Sequence, residues 1–362
     1  MRLLFVITGI GLGHTIREAA IIQEILKQKP NTKIMVAGFK NSYKYFRNKL
    51  PCIEIHGHKF PESDFEVSRL KSLLINLPYP IWDYKDKKKL IKTIKEFNPD
   101  KIIADVQPVG IKAAIACKKP AIAIYNLDLN EWHDFNSKLS FLNRMESKLM
   151  FHYIKQSYDK ADKVIIPTMK KSGKKSRYCF VSPILRKMPS ELPPEKTLMK
   201  KLNLKSPPIV IMLGGSKFGF SIAGKIIEVA QYFKEEFIIF GYKDIKKGNV
   251  TSFKFNENFL EYLKASKAAI LLSGHTALSE VIVYKKPALV FPFKNYIEHY
   301  INVDSMKEYI LVKYIDKNIT PQELKFHIKE LLAASPKLQE NLNRLNITKN
   351  GAKEAAKIIL KG

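Results

Sequence analysis

Residues 268–302 constrain the fold more than any other part of the chain, because an apolar run there ends in a polar turn that opens a helix. Ala268 to Leu272 has the length and unbroken hydrophobicity of a buried strand. Gly274 allows a sharp turn, and from Thr276 onward the apolar residues recur at helical spacing. A second apolar run, Ala288 to Phe291, follows this helix. Strand, turn, helix and strand in this order predict a parallel α/β unit.

The Ser-Gly-His-Thr turn at 273–276 suits an anionic ligand. A helix N-terminus exposes backbone N–H groups and the positive end of the helix dipole, which favour a phosphate or a diphosphate. Glu280 lies one turn beyond Thr276 on the same face, where a carboxylate could accept both hydroxyls of a ribose. A polar cluster follows the second strand and consists of Glu298, His299 and Asn302. We predict a nucleotide site here; the alternative is that Glu280 is a solvated helix residue.

This segment resembles the carboxy-terminal signature of family 28 glycosyltransferases, which include the UDP-N-acetylglucosamine transferase of peptidoglycan synthesis. The matching residues are Ser273, Gly274, Ser279, Glu280, Pro292, Phe293, Glu298, His299 and Asn302. In that family such residues hold the nucleotide sugar. The resemblance therefore implies a donor site formed by Ser273, Gly274, His275, Thr276, Glu280, Glu298, His299 and Asn302. The polar pair is Gln-Gln in the peptidoglycan enzyme, so the Glu-His pair at 298–299 leaves the donor sugar open.

The chain begins with a second strand, turn and helix. Leu3 to Thr8 is predicted as a strand and Thr15 to Lys27 as a helix, and the glycine loop between them contains Gly9, Gly11, Gly13 and His14. The loop falls short of the G-x-G-x-x-G fingerprint, and the next strand ends without an acidic residue, so a nicotinamide cofactor is disfavoured and none is expected. The run from Gly9 to Arg17 resembles the first loop of family 28 and glucuronosyltransferase-like enzymes. There the histidine lies next to the reacting sugar, which implies a catalytic role for His14; helix capping is the alternative.

Polar residues also follow two later strands of the first half. The predicted strand Lys101 to Ala104 ends at Asp105, and the strand Ala121 to Tyr125 is followed by Asn126 and Asp128. The ends of parallel strands are where such folds place their chemistry. The sequence here resembles archaeal and bacterial glycosyltransferase-like proteins in which an Asp and an Asn-containing strand end line the interdomain cleft. Asp105 and Asp128 therefore join His14 as candidates for a general base, although Asp105 could equally cap a helix.

The second half repeats the first in outline, which predicts two domains. A strand from Ile209 to Leu213 leads into a helix from Ile222 to Phe233 through a turn formed by Gly214, Gly215 and Ser216, which in family 28 contacts the nucleotide. The expected architecture is α/β, with two Rossmann-like domains facing a cleft in the GT-B arrangement. We expect an acceptor domain at 1–187, a proline-rich linker at 188–207, a nucleotide-sugar domain at 208–344 and a closing helical segment at 345–362.

Charge is the unusual property of the composition. Sixty-two Lys and Arg residues against 34 Asp and Glu residues give a formal net charge of +28. Such an excess serves nucleic acids, acidic membranes or phosphorylated ligands, or it reflects a lysine-rich composition. No nucleic-acid-binding module of the usual kinds is recognisable, so no specific nucleic acid is expected. Three cysteines and no apolar run near the ~18 residues of a membrane span indicate a cytoplasmic protein, peripheral at most on the inner face of the cell membrane.

The predicted reaction is transfer of a sugar from a nucleotide-sugar donor, expected to be a UDP-sugar, to an acceptor hydroxyl. Family 28 enzymes invert the anomeric centre, and the basic surface favours a lipid-linked acceptor beside an anionic membrane. The Asp-x-Asp motif that binds a metal-diphosphate in the other major glycosyltransferase fold does not occur in the sequence, so no metal is predicted. Two other classes remain open. One is a nucleotide-sugar 2-epimerase of the same architecture, and the other is a noncatalytic anion-binding protein.

Overall fold

The computed structural model describes residues 1–59, 69–126, 129–136, 139, 141–169, 173–212, 219–294, 296–316 and 318–361. The chain divides into two compact units. The first extends to Arg186 and takes up the chain again from Lys349, and the second runs from Lys187 to Thr348. Each unit is built on its own sheet.

The first unit contains an eight-stranded sheet in the order β3-β2-β1-β4-β5-β6-β8-β7. Its elements are β1 (Arg2–Ile7), α1 (Gly13–Gln28), β2 (Lys33–Gly38), α2 (Lys40–Phe46), β3 (Cys52–Glu54), α3 (Arg69–Asn76), α4 (Tyr79–Phe97), β4 (Lys101–Asp105), α5 (Pro108–Ala116), β5 (Ala121–Ile124), α6 (Leu129–Asn136), α7 (Phe141–Tyr158), β6 (Lys163–Pro167), β7 (Gly173–Lys175) and β8 (Tyr178–Val181). All neighbouring strands are parallel except β7, which pairs antiparallel with β8. The interior residues of the central strands, Leu3 to Ile7 in β1 and Ile102 to Ala104 in β4, are apolar and buried because helices cover both faces of a parallel sheet.

The second unit contains a seven-stranded sheet in the order β11-β12-β10-β9-β13-β14-β15. Its elements are α8 (Glu195–Lys201), β9 (Ile209–Met212), α9 (Phe220–Val229), β10 (Phe237–Phe240), β11 (Ile245–Lys247), β12 (Val250–Phe253), α10 (Phe259–Ala265), β13 (Ala268–Leu272), α11 (His275–Val283), β14 (Ala288–Phe291), α12 (Ile297–Met306), β15 (Leu311–Val312) and α13 (Pro321–Arg344), with short 3-10 helices at Pro189–Glu191 and Ala230–Tyr232. Only β11 runs antiparallel to its neighbour.

The last helix, α14 (Gly351–Leu360), belongs to the first unit although it follows the second in sequence. Its buried face joins the apolar core that Ile21 and Ile25 of α1 also enter; the residues it contributes are Ala352, Ala355, Ala356 and Ile359. Lys101 Nζ donates hydrogen bonds to the carbonyl oxygens of Ile359 and Lys361, at 2.7 and 2.5 Å, and so terminates this helix. The sequence predicted this helix, and the structure shows that it packs in the first unit.

The segment 188–207, expected as a linker, is folded onto the second unit. It contains a 3-10 helix and α8, and Leu198 is fully buried. Lys264 Nζ donates to the carbonyl oxygens of Pro189 and Leu192, at 2.7 and 2.9 Å. The prolines therefore shape a packed segment, because proline fixes φ and removes a donor without preventing burial.

Within the part of the chain that the structure describes, no helix is long and apolar enough to cross a membrane.

Candidate functional site

The strand order of the first sheet reverses between β1 and β4, which is its topological switch point. The turns that follow these two strands therefore lie next to each other. The strands are parallel, and Ile7 at the end of β1 pairs with Asp105 at the end of β4. In doubly wound sheets this switch point is where ligands bind. The predicted glycines shape the turn after β1: a side chain on Gly9 would meet the carbonyl oxygen of Phe39 at 1.7 Å, and Gly11 has a φ of +68°. Gly13 begins α1.

Three side chains meet at this switch point. His14 Nδ1 lies 2.9 Å from Asp105 Oδ1. Arg17 donates to the same carboxylate in a two-pronged arrangement, from Nε to Oδ2 at 3.2 Å and from Nη2 to Oδ1 at 2.5 Å. Asp105 is fully buried and Arg17 nearly so, whereas the His14 side chain keeps 17% of its surface exposed. Only His14 in this cluster therefore reaches solvent.

The His14 imidazole has two possible partners for one nitrogen. Nδ1 also lies 2.8 Å from Arg17 Nη2, and a guanidinium can only donate. A proton on Nδ1 is accepted by Asp105 and leaves a lone pair on Nε2. A proton on Nε2 instead lets Nδ1 accept from Arg17, and the exposed nitrogen is then a donor. Asp105 and Arg17 thus compete to set the tautomer, and only the first arrangement gives a base.

Asp105 remains ionised in this setting. Burial alone would raise the pKa of its carboxyl, but the charges and hydrogen bonds of Arg17 and His14 outweigh burial and hold the pKa well below its usual range. A buried carboxylate with both oxygens bound to cations is a poor proton acceptor for a substrate. Its chemical use is to orient the imidazole and stabilise the imidazolium.

The backbone directly after Asp105 is strained. Val106 has a φ of +48°, a region that a β-branched residue rarely adopts. Such residues persist only where surrounding contacts hold them, and they cluster at functional sites. Asn126 is buried two residues beyond the end of β5, the neighbour of β4. Asp128, the third predicted candidate for the base, lies outside the described residues.

In the second unit the corresponding turn follows β13. Gly274 is the N-cap of α11, no side chain caps the helix among the described residues, and its first turn contains no acidic residue. Asn302 of α12 donates from Nδ2 to the carbonyl oxygen of Ser273 at 3.0 Å, which ties this turn to α12. The Oγ atoms of Ser273 and Ser279 are buried and have no hydrogen-bond partner in the described part of the chain. Gly214, Gly215 and Ser216 lie outside the described residues.

The remaining predicted donor residues lie on α11 and α12. Glu280 is 4% exposed, so the alternative that it is a solvated helix residue is wrong. His275 is also buried and begins α11, with the partly buried Thr276 beside it. Glu298 is partly buried and accepts a hydrogen bond from the Tyr296 hydroxyl at 2.9 Å. The structure therefore brings the described donor residues of this unit to the turns and helices that follow β13 and β14.

His299 is held as a neutral base inside the second unit. The backbone N–H of Phe293 donates to its Nδ1 at 3.2 Å, and the Phe293 ring stacks on it with centroids 4.8 Å apart. Burial lowers the pKa of His299 to about 3. The imidazole fixes the backbone where β14 ends, and only Nε2–H is left for another contact.

Arg17 is recognisable in the sequence only as the end of the glycine-loop motif, and its neighbour Glu18 belongs to no motif. Glu18 is one helical turn after His14 and is fully buried beside Arg17 and Asp105. The available signal was its spacing, because a carboxylate four residues before Ile22 stands on the apolar face of α1.

Acid should destabilise the second unit through His299. Below pH ~6.5 the unfolded chain binds a proton on His299 that the folded protein excludes. The stability that neutral His299 contributes is therefore fully present above that pH and is lost as the pH falls toward 3. The free energy of unfolding drops by at most ~1.4 kcal/mol per pH unit in this range. His299→Gln keeps an acceptor for the Phe293 N–H and should flatten the dependence between pH 6.5 and 4. Urea unfolding of the second unit across this range measures it. His152→Gln, an exposed imidazole of the first unit, is the control, and equal pH slopes for His299→Gln and the native protein would contradict the prediction.

The chain resembles several known glycosyltransferases along its whole length. A family model described as glycosyl transferase family 1 matches residues 1–332. An uncharacterized glycosyltransferase of Methanosarcina acetivorans is 24% identical, with 100% of this chain and 98% of the relative covered. The UDP-N-acetylglucosamine–N-acetylmuramyl-(pentapeptide) pyrophosphoryl-undecaprenol N-acetylglucosamine transferase of Thermosipho africanus is 25% identical, with 89% of this chain and 90% of that protein covered. The Thermosipho protein is of the kind that the family 28 resemblance in the sequence pointed to.

Solved structures show the same fold at low sequence identity. Acinetobacter baumannii MurG matches with a TM-score of 0.62 at 12% identity, covering 100% of this chain and 99% of that one. Arabidopsis thaliana UGT89C1 complexed with UDP matches with a TM-score of 0.66 at 12% identity, covering 99% and 98%. The two parallel-dominated sheets are those of the GT-B fold. The predicted fold class is confirmed, and the chain is a glycosyltransferase enzyme that belongs to glycosyl transferase family 1.

Proposed function

We propose that the protein transfers a sugar from a UDP-sugar, bound by the second unit, to an acceptor hydroxyl that His14 deprotonates. The single observation that carries this proposal is the contact between His14 and the buried Asp105 at the switch point of the first sheet. A glycosyltransferase needs a base near the acceptor and stabilisation of the departing diphosphate, and the two units offer one of these each.

His14 suits the role of base better than Asp105 does. With its proton on Nδ1 and bound to Asp105, Nε2 has a lone pair on the part of the ring that reaches solvent. Asp105 is fully buried and remains a carboxylate, so it stabilises the imidazolium that forms when Nε2 takes the acceptor proton. A single displacement with this base, and no covalent intermediate, inverts the anomeric centre.

The turn after β13 suits the donor. The N-terminus of α11 offers backbone N–H groups and a dipole for the diphosphate, as in other nucleotide sites. Glu280 lies on the same helix, where its carboxylate can accept the ribose hydroxyls, and the buried hydroxyls of Ser273 and Ser279 add donors. UGT89C1, a structure of the same fold, was determined with UDP, which supports UDP as the nucleotide of the donor.

A lipid-linked acceptor fits the surface of the first unit. Exposed apolar side chains occur on α3, in the turn after it, on α4 and on α7, and we call them the apolar face: Leu73, Leu74, Ile75, Leu77, Ile81, Phe141, Met145 and Leu149. The residues that α7 contributes to this face, Phe141, Met145 and Leu149, are spaced four residues apart. Tyr153 is the next residue in this series, and its ring contacts that of Tyr79 at the start of α4. Lys71, Lys85 and Lys88 are exposed around it. Apolar side chains within a basic rim are typical of a surface that docks on anionic lipid.

Replacing the proposed base should abolish chemistry and spare donor binding. His14→Ala should lower turnover by about two to four decades, the usual contribution of a general base, with the Kd for UDP unchanged. The donor assayed is the UDP-sugar that raises the thermal unfolding midpoint most in a panel. His56→Ala is the matched control, because His56 Nδ1 lies 2.7 Å from Asp86 in another His-carboxylate pair of the same unit. Turnover in His14→Ala close to that of the His56→Ala control would leave His14 with only a structural role beside Asp105.

The ribose contact gives a second test, in the other unit. Glu280→Ala should weaken UDP binding by about one to three kcal/mol, the range for hydrogen bonds to a charged group. Titration calorimetry with UDP measures the change, and Glu280→Gln separates loss of charge from loss of volume. Glu308→Ala, an exposed carboxylate of the same unit, serves as the control. An unchanged Kd in a folded Glu280→Ala protein would remove Glu280 from the site.

The apolar face should attach the protein to acidic liposomes reversibly. Each Lys or Arg near an anionic surface contributes about one kcal/mol, and ~0.5 M salt screens most of it. Changing Leu73, Leu74 and Leu77 to Ser should reduce flotation with acidic vesicles, because three of the most exposed aliphatic side chains are lost together. Phe326→Ser alters an equally exposed apolar side chain of the second unit and should float as the native protein does. Absence of binding to acidic vesicles at low salt would indicate a soluble acceptor.

A further inference from the structure

Glu18 is a buried carboxyl group that the proposed reaction does not use. It lies on α1 one turn after His14 and is 0% exposed. Neither of its oxygens accepts a hydrogen bond from any residue within the described ranges. The nearest cation, Arg17, stands with its Nε 3.8 Å from Glu18 Oε1 and is already committed to Asp105 through two hydrogen bonds. An ionised Glu18 would thus be a buried charge without a donor.

Protonation removes this difficulty. A carboxylate only accepts hydrogen bonds, whereas a carboxylic acid also donates one. The Asp105 carboxylate is adjacent and is the acceptor that a protonated Glu18 reaches. Burial first, and then the negative charge of Asp105, raise the pKa of Glu18 well above its usual range, although Arg17 opposes the shift. The missing donors and the raised pKa both indicate that the Glu18 side chain is a neutral carboxylic acid.

We propose that Glu18 is a positioning residue for His14: it is a neutral carboxylic acid that donates a hydrogen bond to Asp105 and completes the set of donors that fixes this carboxylate toward His14 Nδ1. The proposal rests on the proposed role of His14 as the base. Arg17 supplies two of the donors and Glu18 the third. Because each donor draws charge from the carboxylate, Asp105 holds the proton of the imidazolium less tightly, and His14 can release it after each turnover.

Within the described ranges, few other charged groups can influence this pair. Arg17 and His14 face it from α1, and Asp105 faces it from β4. The Tyr158 hydroxyl of α7 is buried near Arg17 and Asp105, and burial raises the pKa of Tyr158 well above its usual range, so it stays neutral. The helix α14 contributes only apolar side chains to the core that it shares with α1. Among the described groups, Glu18 is therefore the one to which a change in His14 titration in the Glu18 variants is assigned.

Two variants of Glu18 separate the possibilities. Glu18→Gln keeps the shape and an N–H donor for Asp105 but cannot ionise. Glu18→Leu keeps most of the volume and removes the donor. Glu24→Gln is the matched control, because Glu24 is a buried carboxylate of the same helix and is paired with Lys27 at 2.6 Å.

The first measurement is an infrared difference spectrum of native protein against each amide variant at neutral pH. It should show the carbonyl stretch of a protonated carboxylic acid for Glu18→Gln and none for Glu24→Gln. The second is the pH at which the His14 imidazole takes up its proton, followed by NMR in 15N-histidine-labelled protein and assigned with a His14 variant. This pH should stay unchanged in Glu18→Gln and rise by up to about one unit in Glu18→Leu, because Asp105 loses a donor.

Three results would overturn the proposal. One is the absence of the acid band. Another is a His14 midpoint lowered by about one unit or more in Glu18→Gln, which would indicate that an ionised Glu18 had been removed. The third is an unchanged midpoint in Glu18→Leu, which would leave Glu18 with a packing role. Should Glu18→Leu fail to fold, the infrared band and the Glu18→Gln midpoint still decide. Both readouts are independent of turnover, so they separate this proposal from the His14 activity test.

Discussion

The buried ion pair between Asp105 and Arg17 is the interaction on which the first unit's candidate site depends. The sheet around it is covered on both faces by apolar side chains, so a carboxylate at the end of β4 must find its counter-charge inside the protein. Arg17 provides it with two hydrogen bonds from the first turns of α1. Such pairs add little net stability, but removing one partner of a buried pair costs about 3–5 kcal/mol. The pair therefore locks the glycine loop, α1 and β4 into one arrangement, with His14 at its solvent side.

Two of the three histidines at the predicted sites, His14 and His299, show how surroundings decide function. His14 touches a carboxylate and reaches solvent, so a proton can be gained and stabilised there. His299 is enclosed by Phe293 and Tyr296 and accepts a backbone N–H, so its charged form is excluded. Both were predicted as site residues from motifs alone. Only the neighbouring groups separate a residue that can carry a proton from one that shapes a strand end.

The sequence predicted the strands and the first helix well because parallel strands are short apolar runs and α1 has strong periodicity. It also placed Asp105 at a strand end and His14 in the glycine loop, but their contact joins residues 91 positions apart, which no local pattern specifies. Glu18 was missed because a single charge within a helix usually lies in solvent. The long helix α13 has a sequence signal in its Thr320 capping box, but Pro336 inside the helix interrupts the pattern that would predict its full length.

The return of α14 to the first unit has a consequence for the order of events during synthesis. The ribosome makes residues 187–348 before it makes α14, so during that time the core side chains of α1 are not covered by their partner helix. At roughly 5–20 residues per second this delay is on the order of ten to thirty seconds. A nascent first unit therefore exposes a patch that chaperones can recognise, and the second unit has time to fold first.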